Sequence, residues 1–371
     1  MTRSFIWRAS VHIVKMTHTK RDAIFYYLSG TGNSYRAACW LAEAYLQSGI
    51  PARISSIRRA EPDTRAALDG NSLIGLVTPT HGFTTPWLML KFALRMPRRR
   101  GAPALVVATR GGVKVGRLYL PGLEGTTAYL LALILALKGY SVRGVTGLDM
   151  PVNWTAVHPG FKEASARAII ARAKTRLDAF VKQIIGGGRY MTGLVPLTLG
   201  LLLLPVSLMY SLIGRLWLGK LFFASHRCTG CSICAEGCPA QAIRMIGSRT
   251  RRPYWTFSCE SCMRCMNACP ERAIEASYSF AVVSYLITAV PVWLMILNWA
   301  GRQWLPLEVL NTVWIQAILQ YVYILTSMAL AYVIFHVLTR APLLGRLFAV
   351  TTPTYYYRRY HEPDTRLNDI R

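Results

Sequence analysis

Acidic residues are scarce in this sequence. Its 371 residues include 17 Asp and Glu against 43 Lys and Arg, which gives a formal net charge of +26. Charged residues amount to 16% of the chain and hydrophobic residues to 53%, a composition unusual for a fully soluble protein. Paired carboxylates, a Ser–His–Asp arrangement and an HExxH motif are all missing. The sequence therefore names no catalytic residue and leaves open whether the chain is an enzyme.

Two other features are missing. The positive charge is not interleaved with aromatic residues in any nucleic-acid recognition motif, so nucleic acid is not an expected partner. The N-terminal segment, residues 1–22, lacks the continuous apolar region of a signal peptide, because charged residues such as Arg8 and Lys15 interrupt it. We interpret it as a basic extension and expect a reducing compartment, in which cysteines act as ligands rather than form disulfides.

The cysteines are concentrated in one short segment. Eight of the nine lie in residues 228–269. Residues 228–243 read CTGCSICAEGCPAQAI and residues 259–274 read CESCMRCMNACPERAI, so each cysteine recurs 31 residues later. Such an internal repeat predicts two copies of one structural unit. Each copy has the spacing C-x2-C-x2-C-x3-C-P, which in bacterial ferredoxins holds [4Fe–4S] clusters and lends its fourth cysteine to the other cluster.

This spacing predicts how the eight thiolates are shared. Three cysteines of one copy surround a cluster, and its fourth iron takes the last cysteine of the other copy. The predicted ligands are Cys228, Cys231, Cys234 and Cys269 for the first cluster, and Cys259, Cys262, Cys265 and Cys238 for the second. A zinc ribbon, the alternative, would need two C-x2-C pairs and would leave four cysteines unused. We therefore predict a small α+β ferredoxin module over residues 225–278 that transfers single electrons.

The first half of the chain alternates short apolar runs with helical patterns. This alternation predicts a parallel sheet covered by helices on both faces, an α/β doubly wound domain over residues 23–188. Strands are predicted at Ala23–Leu28, Ala52–Ile57, Leu73–Thr78, Ala104–Thr109 and Ser141–Leu148. Helices are predicted near residues 34–48, 87–95, 126–139 and 161–185.

A glycine-rich loop follows the first predicted strand and opens the first helix. It consists of Ser29, Gly30, Thr31, Gly32, Asn33 and Ser34. N–H groups at a helix N-terminus favour an anion, and the hydroxyls can donate to phosphate oxygens. The loop is not a dinucleotide motif, because Tyr35 replaces the third glycine, and it lacks the Gly-Lys pair of a Walker loop. Without neighbouring acids it fits a monophosphate such as FMN; an ordinary Gly/Ser turn that caps the helix is the alternative.

The loop resembles the phosphate loop of flavodoxins, whose cofactor lies at the carboxyl ends of the strands. With Met150–Trp154, Lys220–Arg227 and the cysteine module, the chain resembles the family of flavodoxin-like plus two-cluster ferredoxin fusions. This resemblance implies FMN, two [4Fe–4S] clusters and electron transfer. The residues expected near the flavin ring are Thr80, His81, Gly82, Phe83, Thr109, Arg110 and Gly111. Phe83 would stack on the ring, and Arg110 would favour an anionic reduced flavin.

Long uncharged stretches occupy the second half. They cover residues 190–214, 276–301 and 309–339. About 20 apolar residues suffice to cross a bilayer, so the last two predict transmembrane helices that form a hairpin over residues 279–339, with buried core helices as the alternative. Pro196 and Pro205 interrupt the first stretch, and a crossing there would separate the two modules. Residues 189–224 are therefore predicted to be re-entrant or interfacial.

The basic charge predicts the orientation of the chain. Lys and Arg accumulate on the cytoplasmic side of membrane spans, so we expect the soluble modules on the cytoplasmic face of the inner membrane. The C-terminal tail, residues 340–371, carries Arg358, Arg359 and Tyr355–Tyr357. It is predicted to be a basic and aromatic anchor at the membrane interface.

The sequence thus predicts a membrane-associated electron-transfer protein that relays electrons between FMN and two [4Fe–4S] clusters, with redox proteins as partners. One alternative is an oxidoreductase that passes electrons from ferredoxin or a reduced nicotinamide to membrane quinone, with a quinone site near His336 or at the Trp-rich ends of the hairpin. Another is an iron–sulfur adaptor that binds no flavin.

Overall fold

The structure, a computed structural model, describes residues 22–58, 72–248, 251–303 and 312–370. The predicted extension over residues 1–22 therefore lies outside the described residues apart from Asp22, as does most of the connection between the two predicted hairpin helices. An α/β domain, a cysteine module and a group of apolar helices follow one another along the described chain.

The α/β domain alternates strands and helices. Its strands are β1 (Ala23–Tyr27), β2 (Ala52–Ser56), β3 (Leu73–Pro79), β4 (Pro103–Val115), β5 (Leu118–Leu120), β6 (Ser141–Pro151) and β7 (Tyr190–Met191). Its helices are α1 (Asn33–Gln47), α2 (Trp87–Arg95), α3 (Thr127–Leu137) and α4 (Glu163–Ile185). All five predicted strands and all four predicted helices form, and their ends agree within about three residues except at β4.

The sheet has the order β2-β1-β3-β4-β6-β7, and neighbours on this path are parallel. Strand β5 pairs antiparallel with the end of β4. Without this hairpin and the short β7, the order is the flavodoxin-like 2-1-3-4-5 of doubly wound domains. One apolar layer packs the sheet against α1 and α4, and the other packs it against α2 and α3. The carboxyl ends of β1, β3, β4 and β6 consequently meet at one edge.

Strand β4 runs well past its predicted end at Thr109. Its pairing with β6 persists to Gly112, opposite Pro151, and the chain then turns into β5. Glycine has a low strand propensity, so the sequence here gives no strand signal. The glycines are needed because a Cβ on Gly111 would lie 2.7 Å from the Val152 side chain.

An apolar arm, residues 194–221, leads from the α/β domain to the cysteine module. It contains α5 (Leu194–Leu202), α6 (Leu204–Met209), a π-helical turn (Tyr210–Gly214) and α7 (Arg215–Leu218). Its two halves meet at 71°, as in a broken span or a re-entrant loop. Just before the arm, the backbone N–H of Thr192 donates to a carbonyl of β6. At its other end, Lys220 donates to the Trp255 carbonyl in the cysteine module.

The cysteine module consists of two similar halves. It contains β8 (Phe222–Ala224), α8 (Ile233–Glu236), β9 (Ile243–Ile246), β10 (Arg252–Trp255), α9 (Arg264–Ala268) and β11 (Ile274–Ala276). Strand β8 pairs with β11, and β9 pairs with β10. The 31-residue repeat extends to the backbone: φ is positive at Ser232 and Met263, and again at Gln241 and Arg272. The two repeats therefore fold as equivalent units.

Apolar helices follow the module. They are α10 (Tyr278–Thr288), α11 (Val290–Gln303), α12 (Val313–Leu338) and α13 (Pro342–Val350). Two helical stretches, Tyr278–Ile296 with mean hydropathy 2.0 and Val313–Leu338 with 1.8, are long and apolar enough to cross a membrane. The rings of Phe280 in α10 and Phe335 in α12 stack with centroids 4.0 Å apart. The two helices therefore meet where they join the cysteine module.

The C-terminal tail does not follow the expectation of a membrane anchor. Arg359 pairs with the buried Glu275 of β11 at 3.2 Å, and Tyr360 donates to Asn33 at the start of α1. Glu362 is fully buried and pairs with Arg36 of α1 at 3.1 Å. Through these contacts the tail lies across both modules. The pair with Arg36 also gives Glu362 the partner that a buried carboxylate needs.

Replacing Glu275 with alanine should lower the free energy of unfolding by about 3–5 kcal/mol, because Arg227 and Arg359 would lose their shared carboxylate in a largely buried setting. Chemical denaturation in detergent measures the change. The matched control is Glu163→Ala, which breaks an exposed pair with Arg167 and should cost about 0.5 kcal/mol or less. Equal losses in the two variants would contradict the expectation.

Candidate cofactor sites

Four thiols surround a cavity of about 350 Å³ in the cysteine module. Three of them, Cys228, Cys231 and Cys234, come from the first repeat, and Cys269 comes from the end of the second. This is the set expected for the first cluster. Cys231 is exposed to solvent, so one edge of the cavity lies at the surface.

The other four thiols line a second cavity, of about 300 Å³. Cys259, Cys262 and Cys265 come from the second repeat, and Cys238 comes from the end of the first. Three of these cysteines are only 8% exposed, and Trp255 and Phe222 complete the wall. The structure therefore brings together the crossed sets that the repeat predicts, and the second cavity is more enclosed than the first.

Burial controls the chemistry of these thiols. It raises the pKa of Cys262 to about 11 and that of Cys234 to about 12, because a thiolate is disfavoured in a water-poor setting. Among the described residues, no three His, Cys, Asp or Glu side chains are close enough to hold a single metal ion; the thiols of each set instead surround an open volume. A cationic iron–sulfur core would deprotonate and bind them.

The predicted phosphate loop joins β1 to α1, and Gly32 caps the helix with φ of 102°. The first N–H groups of a helix have no partner within it. The hydroxyl oxygen of Ser29 accepts from the Gly32 N–H at 3.1 Å, and the hydroxyls of Ser34 and Thr109 share a hydrogen bond of 2.8 Å. These bonds fix the loop in a shape that presents its amides to an anion.

A third cavity, of about 390 Å³, lies at the carboxyl ends of the strands. Most of the predicted flavin-site residues line it, and Pro79, Pro151 and Asn153 join them. The predicted residues in its wall are Ser29, Gly30, Thr31, Asn33, Ser34, Thr80, His81, Thr109, Arg110 and Gly111.

Two polar atoms in this third cavity are buried without a hydrogen-bond partner, the hydroxyl oxygen of Thr80 and Nδ1 of His81. Burial lowers the pKa of His81 to about 4, so its ring is neutral near pH 7 and offers one donor and one acceptor. Orphaned polar groups beside the N-terminus of α1 fit a ligand that carries a phosphate and a polar ring. The residues present therefore fit FMN.

Three predicted residues do not line the third cavity, namely Gly32, Gly82 and Phe83. Gly82 instead faces the Tyr210 ring of the apolar arm, where a Cβ would lie 2.3 Å from the ring. Arg110, which does line the cavity, pairs with Glu124 and with Asp149, the latter at 2.7 Å. Its charge is thus already compensated by two carboxylates, which removes the reason to expect it to favour an anionic flavin.

The phosphate loop and the second cysteine cavity touch. A Cβ on Gly30 would lie 2.2 Å from the carbonyl oxygen of Cys262, so only glycine permits this approach. Arg264, 4% exposed, donates to the carbonyls of Ser29 and Gly30 and, at 2.7 Å, to that of Gly237. One side chain therefore ties the phosphate loop to the segment that carries Cys238.

The C-terminal tail covers the outer side of the phosphate loop. The N–H of Glu362 donates to the Thr31 carbonyl at 2.8 Å, and a Cβ on Gly32 would lie 2.7 Å from the Glu362 side chain. Sequence reasoning did not find this contact, because the tail is more than 300 residues away and carries no motif. Arg264 was also missed, although its position between two ligand cysteines was a signal.

His336, near the end of α12, is 7% exposed and packs edge-on against the Tyr254 ring with centroids 5.1 Å apart. Arg340 lies 3.2 Å from its Nε2. The side chain is thus turned toward the cysteine module.

The cysteine module matches a known family. Residues 227–274 match the model of the 4Fe-4S dicluster domain. This stretch is therefore an iron–sulfur domain, in agreement with the motif and with the two sets of thiols. No sequence among the curated proteins matches the chain.

Solved structures overlap with the α/β domain. A flavodoxin of Streptococcus pneumonia TIGR4 is 15% identical with a TM-score of 0.32, and covers 44% of this chain and 98% of its own. Flavodoxin 1 of Bacillus cereus is 18% identical with a TM-score of 0.30, and covers 43% and 97%. Overlaps of this size carry no argument of their own, and the strand order defines the fold.

Gly30→Ala should lower the free energy of unfolding by about 1–3 kcal/mol, because the added methyl group would overlap the Cys262 carbonyl and force the two loops apart. The denaturation midpoint in detergent measures it. Gly214→Ala is the control: its Cβ would meet no atom closer than 3.4 Å, and alanine is the better helix former. If Gly30→Ala were as stable as this control, the close approach would be wrong.

Proposed function

We propose that this chain is a membrane-associated electron-transfer protein in which FMN exchanges electrons with two [4Fe–4S] clusters. The observation that carries the proposal is the contact between Gly30 of the phosphate loop and Cys262 of the second thiol set. Electron transfer needs cofactors that are held close together in a fixed orientation, and the protein supplies this placement.

Each part of the chain has a defined role in this proposal. FMN, when bound, exchanges electrons in pairs or singly, and the clusters exchange them singly. The amides of the phosphate loop would hold the phosphate, and Thr80 and His81 would bind polar atoms of the ring. The thiol sets hold the clusters, with the second cavity adjoining the flavin site and the first reaching the surface at Cys231.

Anaerobically purified protein should contain about one FMN, eight iron and eight acid-labile sulfides per chain. Zinc in place of iron would contradict the proposal, and eight iron without flavin would favour an iron–sulfur adaptor.

The crossed ligand sets make a sharper prediction. Cys269→Ser should alter the same cluster signal in electron paramagnetic resonance as Cys234→Ser, although the two residues belong to different repeats.

The matching pair is Cys238→Ser and Cys265→Ser, which should alter the other signal. Cys39→Ser is the control, since this thiol lies on α1 and lines neither cavity, and it should leave both signals unchanged. If Cys269→Ser instead changed the signal that Cys265→Ser changes, each repeat would hold its own cluster and the crossed assignment would be wrong.

The helices Tyr278–Ile296 and Val313–Leu338 support the membrane association, because both are long and apolar enough to span a bilayer. We propose that they form a hairpin with both soluble modules on the cytoplasmic side. In support, α10 begins directly after β11, and α12 ends with His336 against Tyr254 of β10, so the first helix starts and the last one ends at the cysteine module. The apolar arm begins and ends on modules that touch each other, which supports a re-entrant or interfacial element rather than a span.

A reporter active only in the cytoplasm should be active when fused after Gly186, after Leu203 in the bend of the arm, or at the C-terminus. It should be inactive after Gln303, between the two hairpin helices. The fusion at the C-terminus is decisive for the arm, because activity at Gly186 together with inactivity at the C-terminus requires an odd number of crossings and would place the arm across the membrane. Activity both after Gln303 and at the C-terminus would contradict the hairpin.

A further inference from the structure

Two cations are buried beside the second thiol cavity. Lys220 is 1% exposed and Arg264 is 4% exposed. Arg264 lines the cavity, and the ammonium of Lys220 donates at 2.6 Å to the carbonyl of Trp255, which lines it as well. A buried charge is unfavourable unless opposite charge or hydrogen bonds compensate it, so each of these cations calls for a partner.

Their visible partners are neutral. Lys220 lies over the rings of Phe257, Tyr332 and Tyr254, with centroids 4.1, 4.5 and 5.2 Å away, and Arg264 donates to three carbonyls. Within the described residues, neither takes part in a salt bridge.

The acid beside this cavity has partners of its own. Glu260, also in the cavity wall, lies 3.7 Å from Arg215 and accepts from the Trp87 N–H at 3.2 Å. The anionic groups that remain for the two cations are the thiols of the second set. Arg264 shares the cavity wall with Cys238 and Cys262, and a Cβ on Gly219, next to Lys220, would lie 3.2 Å from the Cys259 sulfur.

We propose that Lys220 and Arg264 are the counter-charges of the second [4Fe–4S] cluster and raise its reduction potential. This inference rests on the proposed function, since it needs both clusters to be present. A cluster with four thiolate ligands is an anion, and accepting one electron from a redox partner adds one negative charge to it. Fixed positive charge in a water-poor setting favours that reduced state.

The two cations act against the effect of burial. Enclosing an anionic cluster disfavours a further negative charge, and the second cavity is the more enclosed of the two. The first cavity differs, since Cys231 is exposed and Glu271 lies in its wall. Lys220 and Arg264 should therefore affect one cluster and not the other, and they keep the cluster beside the flavin site reducible.

The test is a redox titration of the purified holoprotein, followed by electron paramagnetic resonance, with dithionite as reductant. Each cluster gives one reduction step in this titration. The step that changes in Cys265→Ser is assigned to the second cluster, because Cys265 belongs to the second thiol set. Lys220→Met should change the ratio of oxidised to reduced second cluster at least tenfold at fixed potential, a shift of about 59 mV to more negative values. The step of the first cluster should not move. Arg264→Gln should act in the same direction, and Arg264→Lys should shift less because it keeps the charge.

Arg244→Gln is the matched control, because Arg244 is an exposed cation on β9 of the same module and water screens its charge. This variant should leave the reduction potentials of both clusters unchanged. The inference is overturned if Lys220→Met keeps its full iron content without a shift, if both steps move equally, or if the variant loses the second cluster altogether, which would make Lys220 an assembly residue. Wild-type protein without cluster iron would instead contradict the proposed function itself.

Discussion

The approach of the phosphate loop to the second cysteine loop constrains the rest of the molecule. Gly30 has no side chain, so the backbone of Cys262 comes within reach of the loop, and Arg264 closes the remaining space by donating to carbonyls on both sides. This contact holds the α/β domain against the cysteine module. The apolar arm and the C-terminal tail each contact both modules, which agrees with that arrangement.

Several of the few acidic residues have a structural role, because they are buried and form salt bridges with arginines. Of the 17 acidic residues, Glu124, Glu260, Glu275 and Glu362 are no more than 3% exposed, and each holds an arginine. Two of them join segments remote in sequence: Glu275 binds the tail to the cysteine module, and Glu362 binds it to α1. Removing one partner of a buried pair leaves an uncompensated charge, so a few carboxylates stabilise the assembly while the surface remains basic.

The sequence predicts the elements of this fold better than their docking. Strand positions follow from continuous apolar runs, and the crossed thiol sets follow from a repeat with fixed spacing, because both are local signals. The extension of β4 was hidden by Gly111 and Gly112, which have a low strand propensity. The contacts of Arg264, Tyr360 and Glu362 with the phosphate loop join residues more than 200 positions apart, and no periodicity encodes such pairs.

Two helical stretches qualify as membrane spans by length and hydropathy, and the arm adds a third only if its two bent halves count as one span. The arm is uncharged from Leu194 to Gly214, but Pro205 stands in the first turn of α6, where proline is compatible with a helix start and not with a continuous helix. The arm bends by 71° at this point. Its second half then passes Tyr210 against Gly82 before Lys220 reaches the cysteine module. The arm thus contacts the loop after β3 on its way between the α/β domain and the cysteine module.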